Sequence, residues 1–315
     1  MSLLGLIPKF RVDRLLNSRE RQLRLDQKQR MGTKPLGQVS TIKLNSTYIE
    51  LIDKYFIGKG LVTFFSVVVI GLVTAAIIYF AHLAPELISG IYKERLGEFA
   101  AAMAFLGVVS VVASIIPSVG IRNEAFRYTH YPIRLNRVNR MVYVHRIDGT
   151  ILRIPWDEVF FTLVQEPMFP SGMGANWAIH GHVLDADGET VRETFAFSEV
   201  EIPEIVTGHW EFLRRYMEEG PEAVVDCIKY YVPVSTSSRR ESWREGLRHL
   251  RMRYGQYAPV ALIYFPFDLA SSLARWVAMR TGKLPVWPDD VEAECAVADD
   301  DPWVRDARNN PAKYR

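Results

Sequence analysis

The sequence predicts a membrane α+β protein: a transmembrane helical hairpin followed by an antiparallel β-rich domain with C-terminal helices. Three observations predict it. Gly60–Leu83 contains no Asp, Glu, Lys or Arg, and neither does Phe99–Ile121. Each run reaches the roughly 20 apolar residues needed to cross a hydrocarbon core about 30 Å thick. Beyond Arg122 the pattern turns to period-two alternation broken by tight-turn residues, which is the signature of strands. The overall composition hides this segregation, since 49% apolar and 23% charged residues in a chain of 315 would suit a soluble protein.

The spans are placed at about 60–83 and 99–119. A pair of buried core helices is the alternative, but one face of a soluble helix normally meets water and carries charge. A cleaved signal peptide is excluded by position, because the first long apolar run begins near residue 60 behind a charged leader. Orientation follows from Lys and Arg near the span ends. Residues 1–59 carry twelve of them, the loop from Ala84 to Glu98 only Lys93 and Arg95, and the segment after the second span resumes with Arg122, Arg127, Arg134, Arg137 and Arg140. Both termini are therefore expected in the cytoplasm of a bacterial inner membrane. The spans lack acids, Lys and Arg, with His82 at the rim, so they are expected to anchor and not to transport. Ala100, Ala104, Gly107, Ser110, Ala113 and Ser114 give the second span a small-residue face, suited to packing on the first around Gly71 and Ala75 or to a homodimer.

Four regions follow: a basic leader (1–59), the hairpin (60–121), the β-rich domain (122–220) and a helical C-terminal region with an acidic, loosely held tail (221–315). In the leader, Arg14–Arg30 can form a basic helix, and Ser40–Tyr55 a strand or helix. In the β-rich domain, Phe126–Tyr131 and Pro132–Leu135 read as extended chain. Met141–His145 and Ile151–Ile154 flank Asp148-Gly149, a type I′ hairpin signal. Val159–Val164, Trp177–Leu184 and Thr190–Phe197 continue the sheet, and Ile202–Met217 has helical spacing. Pro221–Tyr231 also looks helical. Ser242–Tyr254 is a basic helix whose Arg244, Arg248, Arg251 and Arg253 are candidate membrane-surface residues beside an apolar edge of Trp243, Leu247 and Leu250. Val260–Met279 is a third apolar stretch, but Pro266, Asp268 and Arg275 interrupt it, which leaves an interfacial helix or a core helix with Trp276 at a boundary.

No catalytic constellation, cofactor motif or nucleic-acid patch emerges, and the formal net charge is only +2. The pair His180 and His182 shares one strand face, yet no further ligands are spaced to complete a metal site, and two half-exposed histidines are the simpler reading. Cys227 and Cys295 lack CxxC spacing and are expected as free thiols. Pro170-Ser171-Gly172-Met173-Gly174 suggests a flexible loop. No enzyme activity is expected.

Several short antiparallel strands closed by one helix is the arrangement of a pleckstrin-homology-like barrel. The run Pro132–Arg140, strand, Asp148-Gly149, Pro155-Trp156-Asp157-Glu158 resembles bacterial membrane proteins of that type, although a different small sheet with a flanking helix stays open. Over nearly the whole chain, the order of Asn45–Asp53, hairpin, β-rich domain and Leu284-Pro285-Val286-Trp287-Pro288 resembles an uncharacterised family of bacterial membrane proteins. Its members are often encoded beside type VI secretion or polymorphic-toxin genes. The resemblance implies a non-catalytic interaction protein of the inner membrane, an immunity or accessory protein for a secreted toxin, with the bilayer and a protein as its partners. Met168, Phe169 and Trp177 are candidate partner contacts, since exposed aromatics and Met anchor interfaces; alternatively they cap the sheet's own core. A lipid-sensing scaffold and an unrecognised membrane enzyme are the rival readings.

Overall fold

The computed structural model describes residues 10–89, 96–167, 175–200, 202–252 and 258–312. Two short strands, β1 (Arg14–Leu15) and β2 (Arg24–Leu25), flank helix α1 (Ser18–Gln22). A hairpin of β3 (Thr41–Leu44) and β4 (Tyr48–Leu51) precedes the long helices α2 (Leu61–Ser89) and α3 (Leu96–Ala125). Strands β5 (Ile133–Asn136), β6 (Met141–His145), β7 (Ile151–Pro155), β8 (Phe160–Pro167), β9 (Ala175–Leu184) and β10 (Thr190–Val200) lead into α4 (Pro203–Glu219). Helices α5 (Trp243–Met252), α6 (Ala258–Ile263), α7 (Phe265–Thr281) and α8 (Asp289–Glu294) complete the chain. The chain divides into a helical unit, Ile57–Arg127 with Arg240–Lys283, and a sheet unit, Phe10–Phe56, Tyr128–Arg239 and Leu284–Arg315.

In the helical unit, α2 and α3 are each about 45 Å long at 1.5 Å per residue, more than a hydrocarbon core requires. Leu61–Glu86 and Gly97–Ala125 have mean hydropathies of 2.7 and 2.5, and only 11% and 6% of their most apolar windows are buried. They are not core helices of this chain. Their hydroxyls bond back into the helix: Thr74 Oγ1 donates to the Ile70 carbonyl (2.8 Å), Ser114 to Ser110 (2.9 Å) and Ser118 to Ser114 (2.7 Å). Such bonds satisfy a donor where water is absent. The two helices pack at their Leu61 and Ala125 ends, where a Cβ on Gly120 would stand 2.9 Å from Ser66 Oγ. Of the small residues expected to pack, Gly71, Ala75, Ala100, Ala104 and Gly107 are exposed, while Ser110, Ala113 and Ser114 are half-buried.

One carboxylate closes that end. Glu124, near the end of α3, accepts the backbone N–H groups of Gly60 (2.9 Å) and Thr63 (2.6 Å) and the Thr63 hydroxyl (2.7 Å). It thereby satisfies orphan donors of α2 and sits at the positive end of its dipole.

The sheet unit holds two antiparallel sheets, in the orders β3-β4-β5-β6-β7 and β1-β10-β9-β8-β2. Their shared core contains Leu135, Val142, Trp156, Phe161, Phe195 and Phe197, and α4 closes it with Val206, Trp210, Leu213, Tyr216 and Met217. Trp156 and Trp210 stack at 5.6 Å, and Phe161 lies 4.8 Å from Trp210. The outer face of the first sheet is also covered, because Trp287, Val291 and Cys295 pack on Tyr48 and Tyr143. All four residues of β4 and of β5 are buried for that reason.

Residues 10–56, expected as a leader, fold into this unit. The basic helix expected over Arg14–Arg30 is not there. Asn17 caps a five-residue helix, and β1 and β2 pair with β10 and β8, the two edges of the β8–β10 sheet. Each short strand covers two residues of an edge and is left outermost, one of the ways a sheet edge is blunted. Much of the leader's positive charge is engaged locally, Arg14 with Glu20 and Lys28 with Asp157 and Glu218.

Other expectations shift. Phe126–Tyr131, read as extended chain, connects α3 to β5 through a turn and bends with a single bridge residue at Tyr128. At Asp148-Gly149 only Gly149 has positive φ, and its N–H bonds the Arg146 carbonyl (3.0 Å), so the connection is a type I turn closed by a left-handed glycine. Pro221–Tyr231 contains two 3-10 turns, not a helix. The tail is held: Asp301 accepts the Ser46 N–H (2.7 Å), and Asn310 makes a two-way bond with the Tyr231 backbone, both at 2.7 Å.

Gly60 tests the helical unit. Its φ is +96°, and a Cβ there would stand 2.4 Å from Arg275 Cα. Gly60→Ala is expected to lower the thermal midpoint of the detergent-solubilised chain by the equivalent of more than about 2 kcal/mol. Gly188→Ala, with positive φ but open space around it, should cost about 1 kcal/mol.

Candidate functional site

Trp177 lies on β9 opposite Gln165, half-buried against the core, with the Arg19 guanidinium 5.8 Å from its ring. It therefore caps its own sheet. Met168, Phe169 and the 170–174 loop lie outside the described residues, as does Arg253. Arg244, Arg248 and Arg251 follow one another at i, i+4 and i+7 on α5, and Arg244 and Arg251 are exposed. Both thiols are free, Cys295 buried and Cys227 half-buried, and burial pushes each pKa up.

His180 and His182 do share a face of β9, but both are buried and not half-exposed. His180 Nε2 contacts Glu166 Oε1 at 2.8 Å, and Glu166 also binds the buried Lys54 ammonium. Burial pushes the Glu166 carboxyl up, but His180 and Lys54 outweigh it and hold the group near 2. His182 Nδ1 contacts Thr194 Oγ1 (2.8 Å), its Nε2 lies 3.4 Å from Glu20, and burial lowers its pKa to about 4. Glu20 in turn binds Arg14 through two bonds of 2.6 and 2.8 Å. This row ties residues 10–25 and 54 onto the sheet. Among the described residues, no three His, Cys, Asp or Glu are grouped to hold a metal ion.

A second cluster joins residues far apart in the chain. The buried Arg134 guanidinium stacks between Tyr48 (4.5 Å) and Trp287 (4.7 Å). Its edges bind Glu50 and both oxygens of Glu292 (3.0 Å each), while Trp287 Nε1 donates to Glu50 (3.1 Å). Burial works against its charge, but the two carboxylates raise its pKa. The runs around Asn45–Asp53, Pro132–Arg140 and Leu284–Pro288 thus meet at one arginine, which sequence spacing alone does not reveal.

The third cluster lies in the helical unit. Arg275 of α7 is fully buried and forks onto Glu241 (2.7 and 2.8 Å), with Nη1 reaching the carbonyls of Ile57 (3.3 Å) and Lys59 (3.4 Å). His249 of α5 stands 3.3 Å from Glu241. Burial raises the Glu241 carboxyl, but Arg275 and His249 outweigh it and leave it near 2. Gly246 lets α5 approach, since a Cβ there would stand 3.0 Å from Glu241 Oε1. Trp243 Nε1 donates to Ser272 Oγ (2.7 Å). Trp243 thus joins α5 to α7 while Leu250 is buried, and Arg244 and Arg251 are exposed. These are anchoring and positioning arrangements; every carboxylate in them is matched to a cation.

Two tests follow from these clusters. Arg134→Met leaves Glu50 buried without its cation and should cost about 3–5 kcal/mol in equilibrium unfolding. Arg134→Lys should recover little, lacking the fork, whereas Glu50→Met combined with Arg134→Met should cost less than Arg134→Met alone. Acid is the second test. His182 and His209 titrate near 4 when folded, both through burial, against 6.5 when free. The unfolded chain then binds more protons between those values, so stability is full above 6.5 and falls as pH drops toward 4. The thermal midpoint should fall from neutral pH to about 5, and His209→Gln should flatten that slope.

No curated protein and no solved structure matches this chain. The sequence model of DUF6708, a family of unknown function, matches residues 110–299. That segment carries Arg134, Glu241, Arg275 and Trp287, while Tyr48 and Glu50 lie before it. The match spans well over half of the chain, which belongs to the DUF6708 family.

Proposed function

We propose that this protein is a membrane-anchored, non-catalytic binding protein, whose hairpin α2–α3 crosses a bacterial inner membrane and whose sheet unit meets a protein partner in the cytoplasm. The observation that carries the anchor is the exposure of two long, charge-poor helices whose hydroxyls are satisfied internally. Lys and Arg abundance on both sides of the hairpin, against two in the short loop, supports cytoplasmic termini. Strand order supports a pleckstrin-homology-like sheet unit: the meander β4–β7, then β8–β10, then the closing helix α4, with the membrane hairpin inserted between the first two strands.

The specific form of this reading is an immunity or accessory protein for a secreted toxin of the type VI or polymorphic class. Its support is the resemblance carried by Asn45–Asp53 and Leu284–Pro288. In the structure, those runs converge on Arg134.

Co-expression tests the partner. A toxin encoded beside this gene should arrest growth alone, be neutralised by the full chain, and co-purify with it in detergent. Growth arrest undiminished by the chain, with no co-purification, would sink the immunity reading. Topology is tested separately: reporter fusions at the N-terminus, at residue 92 and at the C-terminus should place only residue 92 outside.

A further inference from the structure

Helix α7 is built the wrong way round for water. Its fully buried residues are the polar Asp268, Ser271, Ser272 and Arg275 and, in its last turn, Ala278 and Met279, while Leu269, Leu273, Trp276 and Val277 are exposed, Leu273 at 56%. An amphipathic helix in water shows the reverse, because apolar side chains leave the solvent and polar ones stay in it. Helix α6 continues the exposed surface with Leu262 and Ile263, 74% and 75% exposed.

The contacts of α7 set its level against the spans. Phe267 meets Phe64 edge-on at 5.3 Å and lies 5.9 Å from Phe65. Those residues stand one turn into α2, about 6 Å beyond Gly60. Arg275 reaches the carbonyls of Ile57 and Lys59, just before α2 begins. Thr281 donates to the Ala125 carbonyl (2.6 Å) and the Lys283 N–H to that of Arg127 (2.8 Å), where α3 ends. The helix therefore runs past the same ends of both spans, its start about one turn deep and its end at their limit. Its apolar face is continuous with that of α2 through Phe64, Phe65 and Phe267. At the shallow end, Arg280 lies 4.7 Å over the Trp276 ring, the pairing of an aromatic belt with a snorkelling cation. Arg251 of α5 lies 5.6 Å over Phe265, in line with Arg244 and Arg248.

We propose that α6 and α7 form an interfacial element, embedded about 5–10 Å into the cytoplasmic leaflet. Their exposed apolar face is covered by lipid, and the arginines of α5 together with Arg280 meet anionic headgroups. The proposal rests on the hairpin being the membrane anchor and commits to a lipid surface, on two grounds: continuity with the span surface, and positive charge along the rim of the apolar face.

The test uses the full chain reconstituted in phosphatidylglycerol-containing nanodiscs. Nitroxide labels are placed singly at Leu262→Cys, Leu273→Cys, Leu72→Cys and Val304→Cys, with the parent chain labelled in parallel to measure background from Cys227 and Cys295. Collision with oxygen and with a water-soluble nickel chelate is read at each site. Positions 262 and 273 should show an oxygen-to-nickel ratio several-fold above that at 304, with 262 nearer the value at 72. A ratio at 273 equal to that at 304 would place the face in water and overturn the proposal. Protection from both quenchers at 262 and 273 would mean a second copy of the chain covers them, and would overturn it equally. If position 72 itself is nickel-accessible, the anchor has failed and not only the interfacial element. A further outcome bears on charge: Arg244→Glu with Arg251→Glu should lower the ratio at 273 in phosphatidylglycerol and leave it unchanged in phosphatidylcholine alone. No loss in phosphatidylglycerol would remove the headgroup part of the proposal.

Discussion

The antiparallel pairing of β4 with β5 is the constraint on which the fold depends. Tyr48 faces Asn136 and Leu51 faces Ile133, yet the entire hairpin lies between them in the chain. Closing so long a connection as free chain would cost about 4 kcal/mol or more. A packed pair of antiparallel helices returns the chain near its starting point, and Glu124 fixes that return by binding Gly60 and Thr63. On the sheet side, Asp53 accepts the Tyr131 N–H at 2.7 Å, again joining residues from before and after the hairpin. The Arg134–Glu50 pair exists only because this register puts those residues opposite each other. A slip of one residue in either strand would turn its member of the pair to the opposite face of the sheet and part the two.

The two units obey opposite solvent rules. In the sheet unit, large aromatics such as Trp156, Trp210 and Phe161 fill the core, and charges are outside or paired. In the helical unit, Thr63, Ser66, Ser271, Ser272, Asp268 and Arg275 are buried, while valines and leucines face outward. In the membrane setting proposed for this unit, packing between helices draws little from the hydrophobic effect and relies on hydrogen bonds and close approach. Gly60, Gly120 and Gly246 supply the close approach, and Glu124, Glu241 and Arg275 supply the bonds.

What was legible in the sequence divides along physical lines. Long charge-free runs announce themselves, so α2 and α3 were placed within a few residues. Period-two alternation located β6, β7 and β9, and helical spacing located α4. The two-residue strands β1 and β2 carry no period, and nothing local says that Arg14–Arg30 pairs with two sheet edges instead of forming a helix. Arg244 and Arg251, read as candidate membrane-surface residues, are exposed on α5. Composition does not separate the two readings of a half-buried aromatic such as Trp177, because a sheet-capping ring and a partner-facing ring share one chemistry. The interruptions at Pro266, Asp268 and Arg275 leave α7 as an interfacial or a core helix, without saying which face turns outward. That sense depends on the surrounding solvent, which a hydrophobicity pattern leaves undetermined. Convergence of Tyr48, Arg134 and Trp287 was invisible because it is made by tertiary packing alone.

The buried Arg275–Glu241 pair shows why a costly interaction is kept. Desolvating two charges can exceed their mutual attraction, and an apolar replacement of equal volume is often no less stable. In α7, however, an apolar residue at 275 would leave Asp268 as the one charged residue between Val260 and Met279. The segment would then come closer to the length and character of a span, with only Pro266 and Asp268 interrupting it. Arg275 forbids that outcome: its fork needs Glu241, and its remaining donors need the carbonyls of Ile57 and Lys59. Those partners sit just before α2 begins, so the arginine holds α7 beside that end of α2. In the interfacial placement proposed for α7, the ion pair then acts as a depth gauge, and Asp268, fully buried one turn into the same helix, opposes insertion across the bilayer with it.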